Sequence, residues 1–102
     1  VFIRRRGDGS LHVKGEVGLE DALEHFGNVD LSHYGIESYE GETVSYAIIA
    51  LLEAFPDNGE KILVGTTEDG FEFTVEKVVD NTIEDVRIVR KKKEDSKKPK
   101  KR

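Results

Sequence analysis

Glu42-Thr43-Val44-Ser45-Tyr46-Ala47-Ile48-Ile49-Ala50-Leu51-Leu52-Glu53-Ala54-Phe55-Pro56-Asp57-Asn58-Gly59 holds the longest apolar run of the chain and a stop signal. Spaced at about 100° per residue, Val44, Ala47, Ile48, Leu51, Leu52 and Phe55 fall on one broad face. Glu42, Tyr46, Ile49 and Glu53 fall on the opposite side. Pro56 cannot continue a helix without losing a backbone donor, and Asn58-Gly59 supplies a turn. The stretch predicts a buried helix of about four turns. It contains no nucleophile with an adjacent base, no metal-ligand pair and no phosphate loop.

A helix with one apolar face needs a sheet to cover, and the flanking segments supply the strands. Upstream, Phe2 to Arg6, Gly7-Asp8-Gly9 and Ser10 to Gly15 read as a hairpin, with Leu11 and Val13 alternating against His12 and Lys14. Arg4, Arg5 and Arg6 read as solvent-side residues of an edge strand, which discourages strand addition. Leu19, Ala22, Leu23 and Phe26 follow the i, i+3, i+4, i+7 spacing of a short helix that Gly27 ends. His25 lies one turn from Asp21, but nothing nearby supplies a third ligand, so it reads as a solvated histidine. From Asn28 to Glu40 the chain is polar and turn-rich, a loop anchored by Val29, Leu31, Tyr34, Ile36 and Tyr39. His33 and Tyr34 read as packing that loop onto the domain.

Downstream, Glu60 to Thr66 reads as a strand and Thr67-Glu68-Asp69-Gly70 as a hairpin turn with the Asp-Gly signal. Phe71, Phe73 and Val75 alternate with Glu72, Thr74 and Glu76, the pattern of a half-buried strand. Asp80-Asn81 turns the chain into Thr82 to Arg90. Ile83 and Val86 differ by an odd number and cannot share a face in a regular strand. Either a bulge sits near Glu84-Asp85 or the strand starts later. The expected architecture is α+β: a mainly antiparallel sheet of about five strands with two helices on one face. Leu11, Val13, Ile62, Val64, Phe71, Phe73, Val75, Val86 and Ile88 should face the helices.

One small domain fits 102 residues. The expected organisation is a domain over 1–90 and a disordered basic tail over 91–102. The net charge of −5 divides unevenly between them: residues 91–102 hold eight of the 16 basic and two of the 21 acidic residues, a balance of +6. The remaining 1–90 hold eight basic and nineteen acidic residues, a balance of −11. An acidic body repels nucleic acid, so no nucleic-acid partner is expected. The tail suits weak electrostatic contact with an anionic membrane surface. No window approaches a membrane span or a secretory signal, and a start at Val1 suggests a piece of a longer protein. Without cysteine there is no disulfide and no thiolate chemistry.

Catalytic patterns are missing as well. Gly7-Asp8-Gly9 is too short for a dinucleotide fingerprint and leads into a strand. Ser45 sits in an apolar helix with no adjacent His. Glu20/Asp21, Glu68/Asp69 and Glu84/Asp85 are sequence neighbours, which do not point together as a catalytic pair. No catalytic residue and no metal site is assigned, and a binding or structural domain is the expectation.

The order of elements resembles the transporter-associated domain of the CorC/HlyC family. The matching residues are Asp8-Gly9-Ser10, Leu19 to Leu23, Asp30-Leu31, Glu42-Thr43-Val44 and Phe55-Pro56-Asp57-Asn58-Gly59-Glu60. Phe71-Glu72-Phe73-Thr74-Val75 and Ile83-Glu84-Asp85-Val86-Arg87-Ile88 complete the match over nearly all of 1–90. The resemblance implies a fold related to FAD-binding domains of oxidase type, and no reaction. It implies an accessory module following CBS domains and a membrane region, in magnesium and cobalt efflux or hemolysin-like proteins, on the cytoplasmic side of the cell membrane. The expected function is regulatory, through protein contacts. The alternative is an adenine-nucleotide or FAD-binding domain, a cofactor suggested by the fold relation alone. Tyr46, Ile49 and Glu53 are the candidate interface, because a large aliphatic and a tyrosine interrupt the wet side of the central helix. Three covers fit that side: the Asn28–Glu40 loop, a second copy in a homodimer, or the rest of the parent protein.

Overall fold

The computed structural model describes residues 3–92. Its five strands are β1 (Ile3–Arg5), β2 (Leu11–Lys14), β3 (Lys61–Gly65), β4 (Asp69–Val79) and β5 (Thr82–Lys92). They form one antiparallel sheet in the order β1-β2-β5-β4-β3. Helices α1 (Leu19–Leu23) and α2 (Val44–Leu52) lie in the connection from β2 to β3. The fold is α+β, as the sequence pattern predicts.

Period-two alternation decides which side of the sheet is dry. Val13 lies opposite Val86 and Val86 opposite Val75; Leu11, Ile88, Phe73 and Ile62 form the next row. All nine expected core residues are buried, in one cluster with Leu19, Ala22 and Leu23 of α1 and Val44, Ala47 and Ile48 of α2. Full burial of each large apolar side chain is worth about 1.5–3 kcal/mol, so these rows dominate stability.

β4 and β5 form the spine, joined at Asp80-Asn81 with φ of 50° and 61°. Positive φ at both residues matches the right-handed twist of the strands. Ile83 and Val86 are both buried, and the register explains how. Val75 pairs with Val86, Lys77 with Asp85 and Val78 with Ile83, so Glu76 and then Glu84 are skipped. Two opposed bulges cancel, and Ile83 returns to the dry side.

The start of α2 is fastened to the exit of β2. Thr43 Oγ1 accepts from the Tyr46 N–H at 3.0 Å, while the Val44 and Ser45 N–H groups donate to Val17 O and Gly15 O at 2.8 and 2.9 Å. The donors orphaned at a helix start are thus satisfied.

Three expectations need correction. α2 ends at Leu52, well short of four turns, because Glu53 takes a left-handed conformation (φ 59°) and closes it. Proline disfavours helical geometry at the residue before it, and here Pro56 is itself buried, so the chain leaves the helix early to insert it. Asp69 and Gly70 belong to β4 rather than to the turn. A Cβ at Gly70 would sit 2.2 Å from Val64 O, so this glycine serves a close strand approach. Finally, β5 runs to Lys92: Lys91 pairs with Gly70 and Lys92 with Asp69. The rest of the expected tail, 93–102, lies outside the described residues.

Candidate functional site

α2 positions the three candidate interface residues differently. Tyr46 is 50% exposed, with its ring edge-on to Tyr39 at 6.2 Å. Ile49 is half-buried and packs against the core, which places it at the margin of the domain's own interior. Glu53 is exposed at the left-handed helix end, where its N–H donates to Ile49 O at 2.8 Å. The Asn28–Glu40 segment reaches this side through Tyr39.

Most of that segment goes elsewhere. It forms two single 3-10 turns, Leu31–Tyr34 and Glu37–Tyr39, with Ile36 buried between them. Tyr34 packs edge-on against Phe71 at 5.2 Å, and its hydroxyl donates to Asp69 Oδ1 at 2.8 Å. His33 Nε2 lies 2.8 Å from Asp69 Oδ2. These two contacts hold the Asp69 carboxyl below its usual range, and burial pushes the Tyr34 hydroxyl up. His33 and Tyr34 therefore fix the segment to the start of β4, as their expected packing role requires.

Leu51 and Phe55 were expected in the core, yet they are 37% and 40% exposed. The fully buried residues of α2, Val44, Ala47 and Ile48, lie in its first two turns, while Leu52 at its end is half-buried against the core. The signal that could have revealed this is Pro56, which removes Phe55 from helical geometry. The exit of α2 is thus an apolar end without a cover among the described residues.

The face of the sheet away from the helices is laced with charge. Lys14 donates to Asp85 at 2.8 Å, and Arg6 pairs with Glu76 at 3.0 Å. His12 lies between Glu76 (3.2 Å) and Asp85 (3.3 Å), and Arg87 pairs with Asp8 at 2.8 Å. The Lys14 ammonium holds the Asp85 carboxyl down, and that partner raises Lys14 in return. Asp8 is lowered further by the Ser10 hydroxyl and N–H and then by Arg87. Paired groups of this kind set register and surface character.

Arg4, Arg5 and Arg6 do not share one fate. Arg4 pairs opposite His12 on the charged face, whereas Arg5 lies opposite Leu11 and turns to the helix side. His25 Nδ1 meets the Asp21 carbonyl at 3.1 Å, an ordinary helix contact. Among the described residues no group of three or more His, Asp or Glu is arranged to hold a metal ion. No helix among them is long and apolar enough to cross a membrane.

Comparison with known proteins places this geometry in a group of like folds. A CBS domain protein's transporter associated domain from Porphyromonas gingivalis is 21% identical, with a TM-score of 0.71 over 90% of this chain and 100% of that one. A functionally unknown conserved protein from Haemophilus influenzae Rd KW20 is 27% identical, with a TM-score of 0.66 over 88% and 99%. The putative Mg2+ and Co2+ transporter (CorC) associated region from Neisseria meningitidis MC58 is 22% identical, with a TM-score of 0.67 over 88% and 99%. No curated protein matches the chain. The model of the transporter associated domain, CorC_HlyC, matches residues 4–92, and the chain belongs to that family.

Proposed function

We propose that this domain is a non-catalytic regulatory module of a membrane ion transporter, presented on the cytoplasmic side and acting through protein contacts made by the outer side and exit of α2. One observation carries the reading. Of the five exposed large apolar residues among those described, Tyr46, Leu51 and Phe55 all lie on α2 or directly after it. Apolar side chains gathered at one element mark a contact surface, whereas scattered ones do not. Glu53 between them adds a charge that sets orientation more than affinity.

The family supplies the setting. Relatives described as a CBS domain protein and a putative Mg2+ and Co2+ transporter associated region support a parent that moves divalent ions. The partner is then the CBS-containing portion of that parent, and the ion is magnesium or cobalt. The test is ion extrusion by cells carrying the parent protein with Leu51→Ser and Phe55→Ser together. Both residues are exposed, so the domain should fold while regulation of extrusion is lost. Extrusion that is unchanged even when the whole domain is deleted would sink the reading.

A further inference from the structure

We propose that the end of β5 forms a phosphate-binding pocket, separate from the contact surface on α2. A cavity of about 420 Å3 opens between the β1–β2 turn, the end of α1's 3-10 extension and the last residues of β5. Arg5, Arg90 and Lys92 line it, with Phe26 as its aromatic wall and Asp8 and Gly9 at the turn.

Neither Arg5, Arg90 nor Lys92 pairs with a carboxylate among the described residues, whereas Arg6, Lys14, Arg87 and Lys91 all do. The two guanidinium groups are held by other means. Arg5 donates to Gly9 O at 3.3 Å and to His25 O, with its charge 5.4 Å from the centre of the Phe26 ring. Arg90 lies 5.1 Å from the centre of the Phe71 ring, and its Nη1 donates to Phe26 O at 3.4 Å. Its buried Nε has no hydrogen-bond partner among the described residues, as is also true of Arg87. Guanidinium groups positioned by carbonyls and rings keep their full charge and spare N–H donors for an external acceptor.

The oxygens of the nearby acids are already engaged, although Arg90 stands close enough to Asp69 to help lower its carboxyl. Asp8 spends one oxygen on Ser10 and the other on Arg87. Asp69, across from Lys92 in the sheet, is engaged by His33 and Tyr34. The chosen ligand is an oxyanion because three cations converge where the body of the domain is otherwise acidic. Phosphate suits it best, since a guanidinium can donate in parallel to two of its oxygens. Phe26 is already in contact with Arg5 and Phe71 at 5.4 Å each, so it steadies the cation rather than stacking a base. A phosphate of this chemistry can come from a lipid headgroup or from a soluble ester.

Amide chemical shifts of the 102-residue protein should be followed during titration with inorganic phosphate at low ionic strength. In parallel, flotation is measured with phosphatidylcholine vesicles, with and without phosphatidic acid. The expected result is a saturable shift of Gly9, Phe26 and Arg90, weakened about tenfold or more by Arg90→Gln and by Lys92→Gln, the loss of a charge-assisted contact. Lys92 is exposed at a strand end, so its substitution remains informative if Arg90→Gln disturbs folding. Vesicle binding that needs phosphatidic acid and is lost in the same variants assigns the phosphate to a headgroup. Phosphate binding without vesicle binding assigns it to a soluble ester. The absence of both, or binding that neither substitution weakens, overturns the pocket.

Discussion

The two ends of α2 are built on opposite terms. At its start, Thr43 caps the helix, two backbone bonds tie it to β2, and Val44, Ala47 and Ile48 are buried. At its exit, a non-glycine residue holds a left-handed conformation, and Leu51 and Phe55 stand in solvent. A helix optimised only for its own domain would bury its last apolar turn and close on glycine. The difference teaches that α2 is divided: its first half is buried in the domain, whereas Leu51 and, after the helix, Phe55 are exposed.

Breaking the inner half should have the largest effects. Phe73→Ala removes a ring at the centre of the dry face, next to the rows that carry the helices, and should cost about 3–5 kcal/mol in a urea unfolding midpoint. Ile48→Ala, at 1% exposure, should cost about 2–4 kcal/mol by the same measurement. Leu51→Ala, at 37% exposure, should fall within about 0.5 kcal/mol of wild type although it shares the apolar face. Equal costs for the last two would erase the contrast between the ends.

The junction of β2 with α2 offers a sharper variant. A Cβ at Gly15 would meet Ile83 O at 2.2 Å and Ser45 Oγ at 2.9 Å. Gly15→Ala should therefore destabilise by about 1–3 kcal/mol, seen as a lower thermal midpoint. At the exit the sign reverses. Glu53→Gly relieves a left-handed non-glycine and should stabilise the domain by about 1 kcal/mol. A lower midpoint for Glu53→Gly would mean that the glutamate contributes contacts inside the domain.

The smallest effect concerns acid. Ser10 and Arg87 hold the Asp8 carboxyl well below the ordinary value of 3.8. A depressed folded-state pKa contributes stability that is present above the unfolded value and lost as pH falls through the folded one. Asp8→Asn should therefore lower the thermal midpoint at pH 7, and the two midpoints should converge below pH 3.8. Midpoints that stay equally far apart down to acid would show that the contact contributes nothing through its charge.

Alternation along β2 to β5 was enough to name the core, because a sheet with one dry face leaves a period of two in Leu11/Val13 and Phe71/Phe73/Val75. The odd spacing of Ile83 and Val86 left a bulge near Glu84-Asp85 or a later strand start, and the skipped Glu84 in a strand that begins at Thr82 decides for the bulge. Helix periodicity was less informative, since it says which residues share a face and not how far the sheet extends beneath it. Leu51 and Ile48 share one broad face of the helix, about 60° apart, and differ in what lies opposite. The pocket at the end of β5 was illegible for a similar reason: Arg5, Phe26 and Arg90 come from three separate segments, and no local pattern brings them together. Arg5 could be moved to the helix side only by its pairing opposite Leu11, which a run of three arginines does not reveal.

Hydrogen exchange measured on the isolated domain and on the full parent protein tests the divided helix most directly. If the exit of α2 is a contact surface, amides from Leu51 to Phe55 exchange more slowly in the parent than in the isolated domain. Those of β4 and β5, already protected by the sheet, remain unchanged. Identical exchange from Leu51 to Phe55 in the two proteins would contradict the account.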